Sequence, residues 1–274
     1  MFSDPKKVII VSDLDGTLLP PSKIPLERDL AAIRRFEAAG GRFAIATGRT
    51  IQAAIRYQEM LGLQNPMIVY NGAAIYDSMN DKVLFSECLP PDAIEMTRNI
   101  MDACPEVGVE VLRAETAYVV RNTEWEQHHI ALCGVDPVYC TLDEIPKDGW
   151  LKVLFAMSPA EIPPFIEKVA EMGYSHVDFI QSADIFYEML PKHVTKGSAL
   201  APYRSLVGTE DAVIVAVGDY DNDLDLLRQA DFSAAPANAV EIVRQTASLV
   251  LGRTCEEGAM EELISRILGD LAER

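Results

Sequence analysis

Apolar positions along the chain fall into two rhythms. Val8-Ile9-Ile10-Val11 is a continuous β-branched run, the pattern of a strand buried on both faces of a parallel sheet. After Pro20-Pro21 the period changes. Leu26, Leu30 and Ile33 recur at helical spacing, Pro25 suits the first turn of that helix, and Gly40-Gly41 stops it. A strand over residues 42–46, a helix near 50–61, a third strand over 67–70 and a turn at Asn71-Gly72 follow. Short alternating crossovers of this kind predict a right-handed, doubly wound parallel sheet, Rossmann-like, whose ligands bind at the carboxyl ends of the strands.

From about Cys88 the rhythm changes. Residues 91–104 read as a helix followed by strands at 108–112 and 117–121, and residues 159–172 as a helix followed by strands at 176–180 and 185–189. Between these two helix-strand-strand units lie a helix around 124–132 and a strand at 151–157. Past Lys196 the first rhythm resumes, with a helix at 197–206, a very apolar strand at 212–217 and a helix at 223–229. The expected organisation is an α/β core of residues 1–87 and 190–274, interrupted by an inserted α/β domain over 88–189.

Composition narrows the class. The chain has 274 residues, 49% of them apolar, and 24 Lys+Arg against 42 Asp+Glu give a net charge of −18. That much apolar surface excludes a disordered chain. An acidic chain without a basic stripe argues against nucleic acid, because phosphate-backbone binding depends on clustered Lys and Arg. No apolar run approaches the roughly 20 residues of a membrane span, and the N-terminus lacks a signal-peptide core, so a cytoplasmic protein without membrane partners is expected. The cysteines Cys88, Cys104, Cys133, Cys140 and Cys255 form no C-x-x-C pair and read as reduced packing residues.

The chemistry is concentrated at strand ends. Asp13-Leu14-Asp15-Gly16-Thr17 follows the first strand, and alternate residues there leave on one side, so Asp13 and Asp15 can share a crevice; a plain turn explains the same residues equally well. Gly218-Asp219-Tyr220-Asp221-Asn222-Asp223 follows the other strongly apolar strand, at the same sheet edge. Two carboxylates about 4 Å apart repel by about 4 kcal/mol at an effective dielectric of 20, so several in one crevice call for a cation. An all-oxygen set suits Mg²⁺; a helix-capping role for Asp223 is compatible with that. Thr47-Gly48-Arg49 offers a hydroxyl and backbone N–H groups to an anion, while Lys196 taken alone reads as a solvated charge.

The series Asp13-x-Asp15-Gly16-Thr17, Thr47-Gly48-Arg49, Lys196-Gly197 and Gly218-Asp219-x-x-Asn222-Asp223 resembles the four motifs of the haloacid dehalogenase-like phosphatase superfamily, and looks most like its Cof-type branch. The resemblance spans the chain and includes Asn71-Gly72-Ala73 and a large α/β cap between the second and third motifs. Tyr220-Asp221 is bulkier and more acidic than the branch leads one to expect. The resemblance implies Asp13 as nucleophile and Asp15 as general acid/base. It implies phosphate binding by Thr47, Gly48, Lys196 and Asn222, and a Mg²⁺ set of Asp13, Asp15 (through its carbonyl), Asp219 and Asp223, with Asn222 and Asp223 completing or orienting that set. The implied activity is Mg²⁺-dependent hydrolysis of a small phosphorylated metabolite such as a sugar phosphate, through an aspartyl phosphate. A phosphosugar mutase on the same site and a non-catalytic sensor of a phosphorylated ligand are the alternatives.

Other motifs are absent: no G-x-x-x-x-G-K-[ST], G-x-G-x-x-G, H-E-x-x-H or G-x-S-x-G occurs. His128 and His129, about 100° apart on the expected helix, read as surface residues. The strand-pair tips at 113–116 and 181–184 are the candidate substrate-selecting segments.

Overall fold

The computed structural model describes residues 4–208 and 211–269, without the side chains of Leu132 and Cys133; the reading of Cys133 as a packing residue lies outside the described set. Along the chain the elements are β1 (Val8–Ser12), α1 (Glu27–Ala38), β2 (Arg42–Ile45), α2 (Ile51–Leu61), β3 (Met67–Val69), β4 (Ala74–Asp77), β5 (Lys82–Ser86), α3 (Ala93–Ala103), β6 (Gly108–Arg113), β7 (Ala117–Arg121) and α4 (Glu124–Cys133). They continue with β8 (Val138–Tyr139), β9 (Trp150–Ala156), α5 (Ile162–Glu171), β10 (Val177–Ala183), β11 (Phe186–Pro191), α6 (Leu200–Val207), β12 (Val213–Val217), α7 (Leu224–Gln229), β13 (Phe232–Ala235), α8 (Glu241–Thr246), β14 (Leu249–Val250) and α9 (Ala259–Ile267).

Two compact units result. One comprises Met1–Thr47, Ile55–Leu84 and Thr195–Arg274 as far as these are described, the other Gly48–Ala54 and Phe85–Val194. The first is built on a parallel five-stranded sheet ordered β14-β13-β12-β1-β2. Its register decides where the motifs go. Ser12 pairs with Val217 on one side and Ile45 on the other, so Asp13, Gly218 and the segment leading to Thr47 leave the sheet at one carboxyl edge. The sheet is anchored by β1 and β12, whose residues Ile9, Ile10, Val11, Ile214, Val215 and Ala216 are at most 1% exposed, as strands covered on both faces require. A single parallel bridge, Ala46 to Ile68, links β2 to β3, which opens the three-stranded sheet β3-β4-β5.

The second unit carries a six-stranded sheet ordered β10-β11-β9-β6-β7-β8, antiparallel except for the β7–β8 pair. Residues of one parity, Val109, Val111, Val153, Phe155 and Met189, form a core with Met96 and Ile100 of α3 and Phe165 and Val169 of α5. Residues of the other parity include the polar Glu110, Lys152 and Glu188, all buried. Gly48–Ala54 groups with this unit, unlike in the expected division. The reason is local: Lys152 Nζ donates to the Gly48 carbonyl at 3.0 Å, and Gln52 Nε2 to the Glu115 carbonyl at 2.9 Å.

Several expectations need correction. Pro25 lies outside α1: Leu26, in extended conformation, is the cap residue, and its carbonyl accepts the first helical bonds, from Asp29 and Leu30. Of His128 and His129 only the first is at the surface; His129 is 6% exposed, because α4 turns its Glu126/His129 face inward. Cys88 is exposed rather than packed, whereas Cys104 and Cys255 are buried. Among the described residues no helix is long and apolar enough to cross a membrane.

Candidate active site

The carboxyl edge of the parallel sheet gathers most of the motif residues. Asp13 leaves β1 with its N–H donating to the Val217 carbonyl at 2.9 Å, which places it beside the start of the Gly218-Asp219 loop. Asp13, Asp219 and Asp223 bring carboxylate oxygens within 4.8 Å of one another. Lys196 is buried among them, 1% exposed, and donates at 2.6 Å both to Asp13 Oδ1 and to Asp223 Oδ1. A lysine this deep stays charged only because carboxylates face it. Burial opposes its charge, and Asp13 and Asp223 more than reverse that, leaving its pKa above the usual lysine value.

Each acid has a different environment. Asp219 Oδ1 accepts from Thr17 Oγ1 at 2.6 Å. Its other oxygen lies against Gly16, where the backbone has φ +84° and any Cβ would collide with the Asp219 carboxylate, so glycine meets two requirements at once. Asp223 Oδ1 is taken by Lys196, and its Oδ2 accepts the backbone N–H groups of Asp219 and Tyr220 at 2.9 and 3.2 Å, so this side chain ties the loop to the lysine. A Cβ on Gly218 would collide with Asp223, which explains glycine there. Asp15 stands apart: its carboxylate, about one-third exposed, pairs with Lys23 Nζ at 2.6 Å and does not belong to the three-acid group.

The remaining predicted residues are placed as follows. Thr47 is buried, its N–H donating to the Ile68 carbonyl at 2.9 Å and its carbonyl accepting from Asn71 N at 3.1 Å. Gly48, next in the chain, falls in the second unit, its carbonyl held by Lys152. Asn222 Nδ2 donates to Asn71 Oδ1 at 3.3 Å. Asn71 is in the left-handed region, φ 56°, and Gly72 beside it has φ +102° and runs so close to the Thr195 carbonyl that no side chain fits. Three participants were not singled out from sequence: Thr17 on Asp219, Lys23 on Asp15, and Asn238, whose Nδ2 donates to the Gly16 carbonyl at 2.7 Å. Thr17 lay inside a recognised motif, so the Asp-Gly-Thr spacing was its signal; Lys23 and Asn238 had none.

The donor set fits a divalent cation. Burial, with Lys196 opposing and the charges of Asp223, Asp219 and Asp15 adding, raises the Asp13 carboxyl well above the usual range. Burial likewise lifts Asp219 to about 6, partly offset by the Thr17 hydrogen bond and reinforced by Asp223. Carboxylates that resist ionising together, set in an oxygen-only group beside a glycine cradle, match the hard-cation chemistry of such sites.

Comparison with known proteins agrees with this geometry. The haloacid dehalogenase-like hydrolase family matches residues 10–263. The chain is 24% identical to the 5-amino-6-(5-phospho-D-ribitylamino)uracil phosphatase YitU of Bacillus subtilis, covering 92% of this chain and 95% of that one. It is 26% identical to the pyridoxal phosphate phosphatase YbhA of Escherichia coli, covering 95% and 98%. A haloacid dehalogenase-like hydrolase of Bacteroides thetaiotaomicron has a similar fold, with a TM-score of 0.83 at 21% identity over 94% of this chain and 98% of the other. With the family match covering nearly the whole sequence, the chain belongs to the haloacid dehalogenase-like hydrolase family and is a phosphoric monoester hydrolase.

Proposed function

We propose that this protein is a Mg²⁺-dependent phosphatase that hydrolyses a small phosphorylated metabolite, a sugar phosphate in the first instance, through an aspartyl phosphate on Asp13. The observation that carries the reading is the convergence of Asp13, Asp219 and Asp223 on the buried Lys196. Relatives named for phosphorylated ribitylaminouracil and pyridoxal phosphate support a small metabolite as the substrate class.

In this reading an Asp13 carboxylate oxygen attacks phosphorus as the ester P–O bond breaks, and Asp15 gives its proton to the departing alkoxide. Asp15 then takes a proton from the water that attacks the aspartyl phosphate. Phosphate leaves and Asp13 is regenerated as a carboxylate. Lys196, with Thr47, Gly48 and Asn222, holds phosphoryl oxygens and offsets their charge. Asp13, Asp219 and the Asp15 carbonyl would hold a Mg²⁺, which would supply charge neutralisation to the phosphoryl group and its acidic surroundings. Asp223, with both oxygens engaged, orients Lys196 and the Asp219 loop. Substrate selection is assigned to the inserted segment 88–189, the cap of this reading.

The test is phosphate release from a panel of sugar phosphates, nucleotides, phosphorylated cofactors and a generic aryl phosphate, with Mg²⁺ and with chelator, using Asp13→Asn as the blank. Release that requires Mg²⁺ and Asp13 supports the reading. No release from any substrate, or full turnover by Asp13→Asn, overturns it.

A further inference from the structure

The second unit holds a group of polar side chains that the phosphatase reading does not use. Glu110 on β6 and Glu126 and His129 on α4 bring ligand-type atoms within 4.8 Å of one another, and all three residues are buried. Strand alternation puts Val109 and Val111 into the core with α3 and α5 and Glu110 on the opposite face. There α4 approaches closely: a Cβ on Gly108 would collide with Thr123 and crowd Glu126. Glu126 and His129, three residues apart, share one side of the helix. Both residues are 0% exposed, and none of the four carboxylate oxygens has a well-formed hydrogen bond, His129 being the group that faces them. His129 Nδ1 lies 3.0 Å from Glu110 Oε2 and 3.7 Å from Glu126 Oε1, and its ring stands edge-on to Phe186 at 4.9 Å.

Two buried carboxylates that share a single imidazole are costly. Held this close, their charges repel even at an effective dielectric of 20, and desolvation opposes the ionised form of each. A divalent cation removes both costs, since two carboxylates and a neutral imidazole around it sum to zero charge. The spacing suits one ion: donors about 2.1 Å from a tetrahedral centre stand about 3.4 Å apart, between the 3.0 and 3.7 Å separations found here. A mixed nitrogen and oxygen set favours a borderline first-row ion over Mg²⁺, which keeps to oxygen and water.

We propose that Glu110, Glu126 and His129 form a second metal site, for a borderline divalent cation such as Zn²⁺, that fastens α4 to β6. The competing way to neutralise the group is a proton: burial raises the Glu126 carboxyl, with His129 opposing and the Glu110 charge reinforcing. The site is independent of the phosphatase chemistry and is tested without activity.

Full-length protein in excess Mg²⁺, which occupies oxygen-only sites, is equilibrated with micromolar Zn²⁺, gel-filtered and analysed for metal, and its thermal unfolding is followed with and without Zn²⁺. Wild type is expected to retain one Zn²⁺ per chain and to unfold at a higher temperature with it. Glu126→Gln and Glu110→Gln are expected to bind at least tenfold more weakly and to lose the thermal shift, and Asp219→Asn to keep both. Should the glutamine variants fail to fold, His129→Asn and the wild-type stoichiometry still decide. No Zn²⁺ on the wild type overturns the proposal, and so does Zn²⁺ that survives all three substitutions, since it would then lie elsewhere, for instance at the exposed Cys88.

Discussion

Lys196 Nζ stands 2.6 Å from Asp13 Oδ1 although 183 positions of sequence separate the two residues. The parallel register of β1 and β12 makes this possible, because it brings the end of each strand to one edge where the turn before α6 can deliver the lysine. Removing the ammonium leaves Asp13 and Asp223 buried without their counter-charge, and breaking such a pair costs about 3–5 kcal/mol. Lys196→Met is expected to lower the urea midpoint accordingly, and to reduce kcat/KM by about 10²-fold or more as phosphoryl charge goes unmatched. Urea unfolding and aryl phosphate hydrolysis check both; unchanged hydrolysis would contradict the role given to Lys196.

Gly16 and Gly62 form a matched pair of substitutions. Both have positive φ, +84° and +71°, but a Cβ on Gly16 meets the Asp219 carboxylate while one on Gly62 meets nothing within 4 Å. Alanine at either position costs about 1–2 kcal/mol of backbone strain. Only Gly16→Ala is expected to raise the Mg²⁺ concentration for half-maximal activity, by at least tenfold; Gly62→Ala should lower Tm alone. Mg²⁺ titrations of activity alongside thermal melts separate the two effects.

Lys23 pairs with Asp15, but both side chains are about one-third exposed. An ion pair so placed is worth about 0.2–1 kcal/mol. Lys23→Met is therefore expected to reduce kcat/KM by less than about fivefold, whereas Asp15→Asn should reduce it by about 10²–10⁴-fold, the scale of general acid–base catalysis. Equal losses in the two variants would mean that Lys23 does more than orient Asp15.

Asp29 gives a pH dependence with a definite sign. It is buried on α1, where its Oδ1 accepts the Glu261 N–H of α9 at 2.7 Å. Burial raises its pKa to about 6, with that hydrogen bond opposing. The folded state thus holds a proton that the unfolded chain has released, so this stability contribution is complete below the unfolded pKa near 4 and is lost as pH rises to about 6. Asparagine keeps the acceptor and removes the charge. Asp29→Asn is expected to flatten the fall of stability between pH 4 and 6, by on the order of 1–2 kcal/mol. Denaturant unfolding across that range measures it, and an unchanged slope would contradict it.

The sequence was most informative where strands are fully apolar. The runs leading into Asp13 and into Gly218 identified two strands of the parallel sheet, and with them the edge where the acids meet. Short strands carry too few residues for a period, so β13 and β14, of four and two residues, leave no legible pattern. On α4 the pattern misleads: the helix buries Glu126 and His129, so a rule that turns polar residues outward places His129 on the wrong side. The spacing of Glu126 and His129 was the available signal. The Lys23–Asp15 and Asn238–Gly16 contacts depend on how loops fold back, and no local pattern encodes that.

The most direct measurement traps the proposed intermediate. Asp15→Asn is mixed with substrate and Mg²⁺, quenched in acid, digested and analysed by mass spectrometry. The account predicts a phosphoryl group on the peptide containing Asp13, absent when Asp13 is also changed to Asn. A phosphoryl group on any other residue, or turnover of a good substrate with no labelled peptide under these conditions, would contradict it.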